Sequence, residues 1–158
     1  MVHSFPTRRS SDLRVTVASY DAYADDAREG RAGLTVQRRG LDTGRYLMKA
    51  IVVTDEAAGT AGMTLVERPE PEPAINDVVV QVRASGFVPT ELAWPSTWTD
   101  RLGRDRTPSI PGHELAGVVT ALGYGTTGLS VGQRVFGLTD WTRDGTLAEY
   151  AEIGRAHV

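Results

Sequence analysis

From position 48 onward the chain reads as short apolar runs, alternating or continuous, broken by clusters of Gly, Pro, Asn and Asp. Such runs, rich in Val and bounded by turn formers, predict strands. Six are expected: Lys49 to Thr54, Met63 to Arg68, Asp77 to Ala84, Leu115 to Leu122, Gln133 to Leu138 and Thr146 to Ile153. The prolines of "PEPEP" at 69–73 lack a ladder donor and turn their predecessors away from the helical region, so this stretch is an extended connector. Alternation lapses between Pro89 and Trp98, where a single helical turn starting near Thr90 is predicted. Many short strands with irregular crossings give a mainly β fold, a small, partly open β-barrel with short helical turns rather than a helix-covered parallel sheet.

The pattern fails at both ends. Residues 3–13, "HSFPTRRSSDL", and 152–158, "EIGRAHV", carry no apolar period. Both back-translate into DNA that resembles the two arms of a common sequencing-library adapter. Residues 1–13 and 152–158 are therefore expected to be cloning or sequencing scars outside the fold, the competing reading being natural tails. Residues 14–47 are irregular, with small, acidic and Arg residues mixed; they read as translated upstream DNA, or as a short extension with a nascent helix around Tyr20 to Glu29. The patterned domain is expected over 48–151, with Met48 as a better natural start than Met1.

The six letters "GYGTTG" at 123–128 spell the glycine fingerprint of a dinucleotide-binding loop. That loop works only when a strand enters it and a helix leaves it, because the pyrophosphate rests on the free N–H groups of the helix N-terminus. Here "LSVGQRVFGL" follows, a turn feeding a strand. The segment is expected to be a hairpin-type connection, with Gly123, Gly125 and Gly128 all supplying positive φ.

Composition changes the picture mainly by exclusion. The 158 residues hold no cysteine, which removes disulfides, thiolate zinc sites and cysteine nucleophiles. A net charge of −3 gives no electrostatic reason to expect nucleic acid or an anionic membrane as partner. No apolar run reaches the length of a membrane span, and no signal-peptide core is visible at the N-terminus, so the cytoplasm is the expected location.

"IPGHELAGVVTALGYGTTGLSVGQRVFG" at 110–137 resembles the G-H-E-x-x-G-x-V…V-G…G-x-x-V segment of the medium-chain dehydrogenase/reductase superfamily, with "MKAIVV", "DVVVQVRASGFVPTEL" and "GTLAEYA" around it in the family's order. The resemblance implies the GroES-like barrel that forms the catalytic domain of these oxidoreductases. It also implies that a Rossmann-type domain binding NAD(P)H follows in the family, beyond the residues present here. In the zinc alcohol dehydrogenases the segment aligned with "ASGFVPTEL" carries a zinc-binding cysteine; that position is Val88. The four-cysteine structural-zinc lobe of that branch has no counterpart in "LTDWTRDGTLAEY". The sequence is more similar to the zinc-less, quinone-reductase-like, NADPH-dependent branch, in which a proline follows as Pro89 follows Val88.

By this resemblance Thr90 matches the hydroxyl that relays a proton, against a bland reading as cap of the short helical turn. Glu91 is a cleft-facing carboxylate or a first-turn charge, and His113 a zinc ligand or a hydrogen-bonded structural histidine lining the cleft. Glu114 anchors backbone or a basic partner near the domain junction. Phe87, Val88 and Pro89 are placed against the cofactor, and no metal is expected. Trp94 and Trp98 wall an apolar pocket or pack in the core, and "DRLGRDR" at 100–106 is a solvated loop. The implied parent is a homodimeric NADPH-dependent enzyme that reduces a small quinone, enone or aldehyde, the present chain being inactive alone. The alternatives are a fragment of a zinc alcohol dehydrogenase and a stand-alone GroES-like binding module.

Overall fold

A computed structural model describes residues 17–19 and 45–154. The strands are β1 (Val17–Ser19), β2 (Leu47–Val52), β3 (Thr64–Pro69), β4 (Val78–Gly86), β5 (Glu114–Leu122), β6 (Arg134–Leu138) and β7 (Tyr150–Ile153). Two 3-10 helices, η1 (Glu56–Gly62) and η2 (Pro89–Ala93), and one short α-helix, α1 (Pro95–Trp98), complete the described elements. The fold is mainly β with few short helical turns, as the apolar pattern predicts. The five-stranded sheet has the order β1-β6-β5-β4-β7, and β2 and β3 pair separately.

Strand β4 is the pivot, antiparallel to β5 on one side and to β7 on the other. Because successive side chains leave a strand on opposite faces, its "VVV" run serves two cores. Val78 and Val80 pack with Leu115, Val119, Val135 and Ile153. Val79 faces the other way, into Met48, Ala50, Val52, Ile110 and Tyr150. The β2–β3 pair thus covers the second face of the sheet. A third cluster, Val53, Leu92 and Trp98 with Met63 and Phe87 against it, fastens η2 and α1 to the end of β2.

The sixth predicted strand, Thr146 to Ile153, divides because it changes partner midway. Thr146 and Leu147 donate backbone N–H groups to Gly112 O and Pro111 O, and Ala148 bridges Ala50 of β2. Only from Tyr150 does the segment run as β7 along β4. Partner switching of this kind links the two sheets.

Several boundaries differ from expectation. β2 begins at Leu47, which pairs with Pro69, so the strand extends ahead of Met48. β1, where the apolar pattern predicts nothing, lies on the outer edge of β6. The helix η1 arises in "EAAGTAG", capped by Asp55, whose side chain accepts the Ala57 N–H. Glu152 and Ile153 are built into β7, Ile153 as core. The nascent helix expected around Tyr20 to Glu29 and the segment 3–13 lie outside the described residues.

The 123–128 glycine segment connects β5 to β6, and no helix follows it. Gly125 and Gly128 adopt φ of 83° and 80°. Gly123 is corrected: it has no positive φ, and glycine is needed there because a Cβ would stand 1.7 Å from the Ala74 carbonyl oxygen. The loop is stitched to the 74–77 turn, Asn76 N–H donating to Tyr124 O and Gly123 N–H to Asp77 O.

Candidate functional site

The strongest gathering of polar chemistry lies where η2, the 110–114 segment and the 139–146 loop meet. Glu91, in the first turn of η2, is buried yet has both carboxylate oxygens engaged. Its Oε1 accepts the Val88 N–H at 3.2 Å and its Oε2 the Gly112 N–H at 3.0 Å. Two donated N–H groups hold a buried carboxylate that has no Lys or Arg ion pair among the described residues. Gly112 has φ of 88°, and a Cβ there would press on Thr146 Oγ1 and Leu147 Cγ at 2.9 and 3.0 Å, so the backbone donor reaches Glu91 only as glycine.

His113 follows directly and is 4% exposed. Its Nδ1 lies 3.3 Å from Thr139 Oγ1, while the Thr139 N–H donates to the His113 carbonyl at 2.8 Å. Its Nε2 points to Glu91 Oε2 at 3.8 Å, beyond hydrogen-bond reach. Burial pushes its pKa down to about 4, the Arg106 charge adds to the shift, and Asp140 opposes it. The imidazole is therefore neutral near pH 7. Trp94 stacks on it with ring centroids 5.9 Å apart, and Trp141 leans on Trp94 at 5.0 Å.

The other predicted residues divide around this centre. Thr90 is exposed, and its hydroxyl makes no hydrogen bond among the described residues. It does not cap η2: Val88 occupies the N-cap position and Glu91 satisfies the Val88 N–H. Val88 is 52% exposed beside exposed Pro89, whereas half-buried Phe87 packs on the Val53, Leu92 and Trp98 cluster. Trp98 belongs to that core, its indole N–H donating to Leu92 O. Glu114 opens β5, and its side chain lies over Gly86, where a Cβ would clash. Within 100–106, Asp100 and Arg104 form an exposed local pair, but Arg106 is corrected: its side chain is 11% exposed and turned inward.

Thr139, Trp141 and Arg106 complete the site and were not singled out by their sequence context. The signal available was "LTDWTRD", where a tryptophan stands in an otherwise polar loop.

The donor set does not fit catalytic zinc, which takes three protein ligands and one open position. Val88 offers an isopropyl group, and among the described residues no group of three His, Cys, Asp or Glu side chains converges. Nor do the described residues fit a dinucleotide pyrophosphate, since the glycine loop leads into β6. What the centre offers is a neutral imidazole, a buried carboxylate and an aromatic wall, with the exposed Thr90 one residue before Glu91 on η2.

Similar proteins carry related sequences. An L-threonine 3-dehydrogenase of Saccharopolyspora erythraea is 42% identical over 91 residues, 57% of this chain and 25% of its own length. A quinone oxidoreductase of Pseudomonas syringae pv. Tomato DC3000 has a similar structure, with TM-score 0.58 and 26% identity over 68% of this chain and 31% of that one. A cobalt- and zinc-bound thermostable alcohol dehydrogenase of Pyrobaculum aerophilum gives TM-score 0.57 and 25% identity over 68% of this chain and 39% of that one. The chain thus spans about a quarter to two fifths of the length of these relatives. Residues 74–158 match the model of the alcohol dehydrogenase GroES-like domain, more than half of the chain, and the protein belongs to that family.

Proposed function

We propose that this chain is the substrate-side domain of an oxidoreductase that reduces a small quinone, enone or aldehyde by hydride transfer from NADPH without zinc. The carrying observation is the buried, neutral His113 facing Glu91 beneath Trp94, with Val88 where a metal-binding thiolate would stand. The nicotinamide supplies the hydride when bound, and its pyrophosphate is held by a domain other than this one. The residues here shape the acceptor's environment. Trp94 and Trp141 present π-faces to a flat, conjugated molecule. The Thr90 hydroxyl, exposed on η2, donates to the oxygen on which negative charge develops. Glu91 holds the backbone of η2 and of the 110–114 segment in register, so that Thr90 and the wall keep their relative places. The quinone oxidoreductase relative supports this branch. The intact enzyme is proposed to be a cytoplasmic homodimer.

The metal-bound alcohol dehydrogenase relative favours a second reading, in which His113 and Glu91 contribute to a zinc site completed by groups outside the described residues. One experiment separates the two: the full genomic reading frame containing this domain is expressed and NADPH oxidation followed at 340 nm over quinones, enones and aldehydes, before and after chelation. Turnover that survives chelation, with no zinc in the dialysed protein, is expected. Turnover lost to the chelator and restored by zinc would favour the alcohol dehydrogenase reading, and a ring-shaped oligomer without reductase activity the binding module.

A further inference from the structure

We infer that Arg106 is a positioning residue whose guanidinium ties together the two segments carrying Trp94 and Trp141, and so sets the aromatic wall over His113. Its backbone N–H donates to Trp98 O at 2.9 Å. Its Nη1 donates to Ser96 O, two residues beyond Trp94 at the start of α1, and to Trp141 O at 3.5 Å. Its Nη2 stands 3.8 Å from Asp144 Oδ1, a carboxylate that Arg68 also engages at 3.4 Å.

The choice of arginine follows from this geometry. The two N–H groups of one terminal nitrogen, Nη1, reach both carbonyls while Nη2 faces the carboxylate, a fixed planar placement that a freely rotating ammonium does not hold. Neutralisation alone does not explain the arrangement, since Asp144 is half-exposed and already has Arg68. The backbone carbonyl engaged in the 139–145 loop belongs to the residue whose ring leans on Trp94, so displacing that carbonyl displaces the ring. The charged groups influencing His113 fit the same picture: Arg106 opposes its protonation, Asp140 favours it, and Glu91 stands across Nε2. That a substrate meets this wall rests on the oxidoreductase reading; the clamp itself does not.

The test uses the 158-residue chain and the variants Arg106→Lys and Arg106→Gln. Two tryptophans at 5.0 Å and tilted by 35° should give an exciton couplet in circular dichroism, assigned by its loss in Trp141→Phe. The His113 imidazole is titrated by NMR, assigned with His113→Gln. Both Arg106 variants are expected to lose the couplet. Arg106→Gln should also raise the His113 pKa from about 4 towards its ordinary value, while Arg106→Lys, keeping the charge, leaves it low. Arg101→Gln, which removes an exposed tie to Asp140 in the same loop, keeps the couplet. Should the glutamine variant fail to fold, the lysine variant decides. A couplet that persists in a folded lysine variant overturns the proposal, as does loss of the sheet signal in both variants, which would make Arg106 a fold residue. A couplet lost while His113 stays at about 4 in the glutamine variant still supports the clamp and removes only the electrostatic part. A parent enzyme without reductase activity would sink the oxidoreductase reading and leave this result standing.

Discussion

His113 is a stability element whose sign can be worked out. Its folded pKa lies at about 4, below the ordinary 6.5, so between these values the unfolded chain binds the proton that the folded chain refuses. Its contribution is whole above pH 6.5 and is lost as pH falls through the window, at up to about 1.4 kcal/mol per pH unit. Urea midpoints across that window should fall with acidification, and His113→Gln should flatten the slope; an unchanged slope would show that other groups set it. Glu91 behaves differently, because its oxygens satisfy two backbone donors. Glu91→Ala leaves the Val88 and Gly112 N–H groups without their acceptor and should cost about 2–4 kcal/mol by denaturant titration, with Glu91→Gln milder. Thr90 makes no such bond among the described residues, and its exposed hydroxyl is free to act on a ligand. In the parent enzyme Thr90→Val should lower kcat by about a hundredfold with little change in KM, as for a donor felt in the transition state; unchanged turnover would remove it from the chemistry. Glu91 and His113 were legible because a resemblance fixed their positions. Thr139, Trp141 and Arg106 were not, since their roles come from loops that meet only in three dimensions.

Strands that keep one partner set were readable from alternation, and those that change partner were not. β4, β5 and β6 follow their predicted spans to within two residues: β5 alternates in burial, and β4 announces itself by a continuous Val run buried on both faces. Thr146 to Ile153 carries strand-type residues as well, but its first half answers to 110–112 and to β2 and its second to β4, which no local pattern announces. Glycines show the same division. Gly132 has φ of 88° and open space around its missing Cβ, whereas Gly123 has an ordinary φ and a carbonyl oxygen at 1.7 Å. Gly132→Ala should therefore cost about 1 kcal/mol of backbone strain. Gly123→Ala must push the 74–77 turn off the β5 end, at a cost of several times that, about 3 kcal/mol or more. Paired urea unfolding curves decide the order, and equal midpoints would mean that the 74–77 turn yields freely.

Across the whole molecule, the proposed function requires that recognition of the cofactor be divided from the chemistry. A dinucleotide needs donors aimed at its pyrophosphate, and the one sequence match to that motif is spent on joining two strands. Gly125 and Gly128 give the loop its turns, while Gly123 gives it contact with the 74–77 segment, and two of its backbone donors are spent within the protein: Gly123 N–H on Asp77 O and Thr126 N–H on Gly123 O. Freeing them for a phosphate would mean breaking the seam that Asn76 and Tyr124 also share. The 158-residue chain is therefore expected to show no NADPH binding by calorimetry up to roughly millimolar concentration, a limit corresponding to about 4 kcal/mol of binding free energy. The same titration on the full parent protein should give micromolar affinity if the cofactor is held by another domain. Micromolar binding by the present chain alone would overturn both the assignment of 123–128 as a connection and the proposed division of labour, and would direct the search to donors other than this loop.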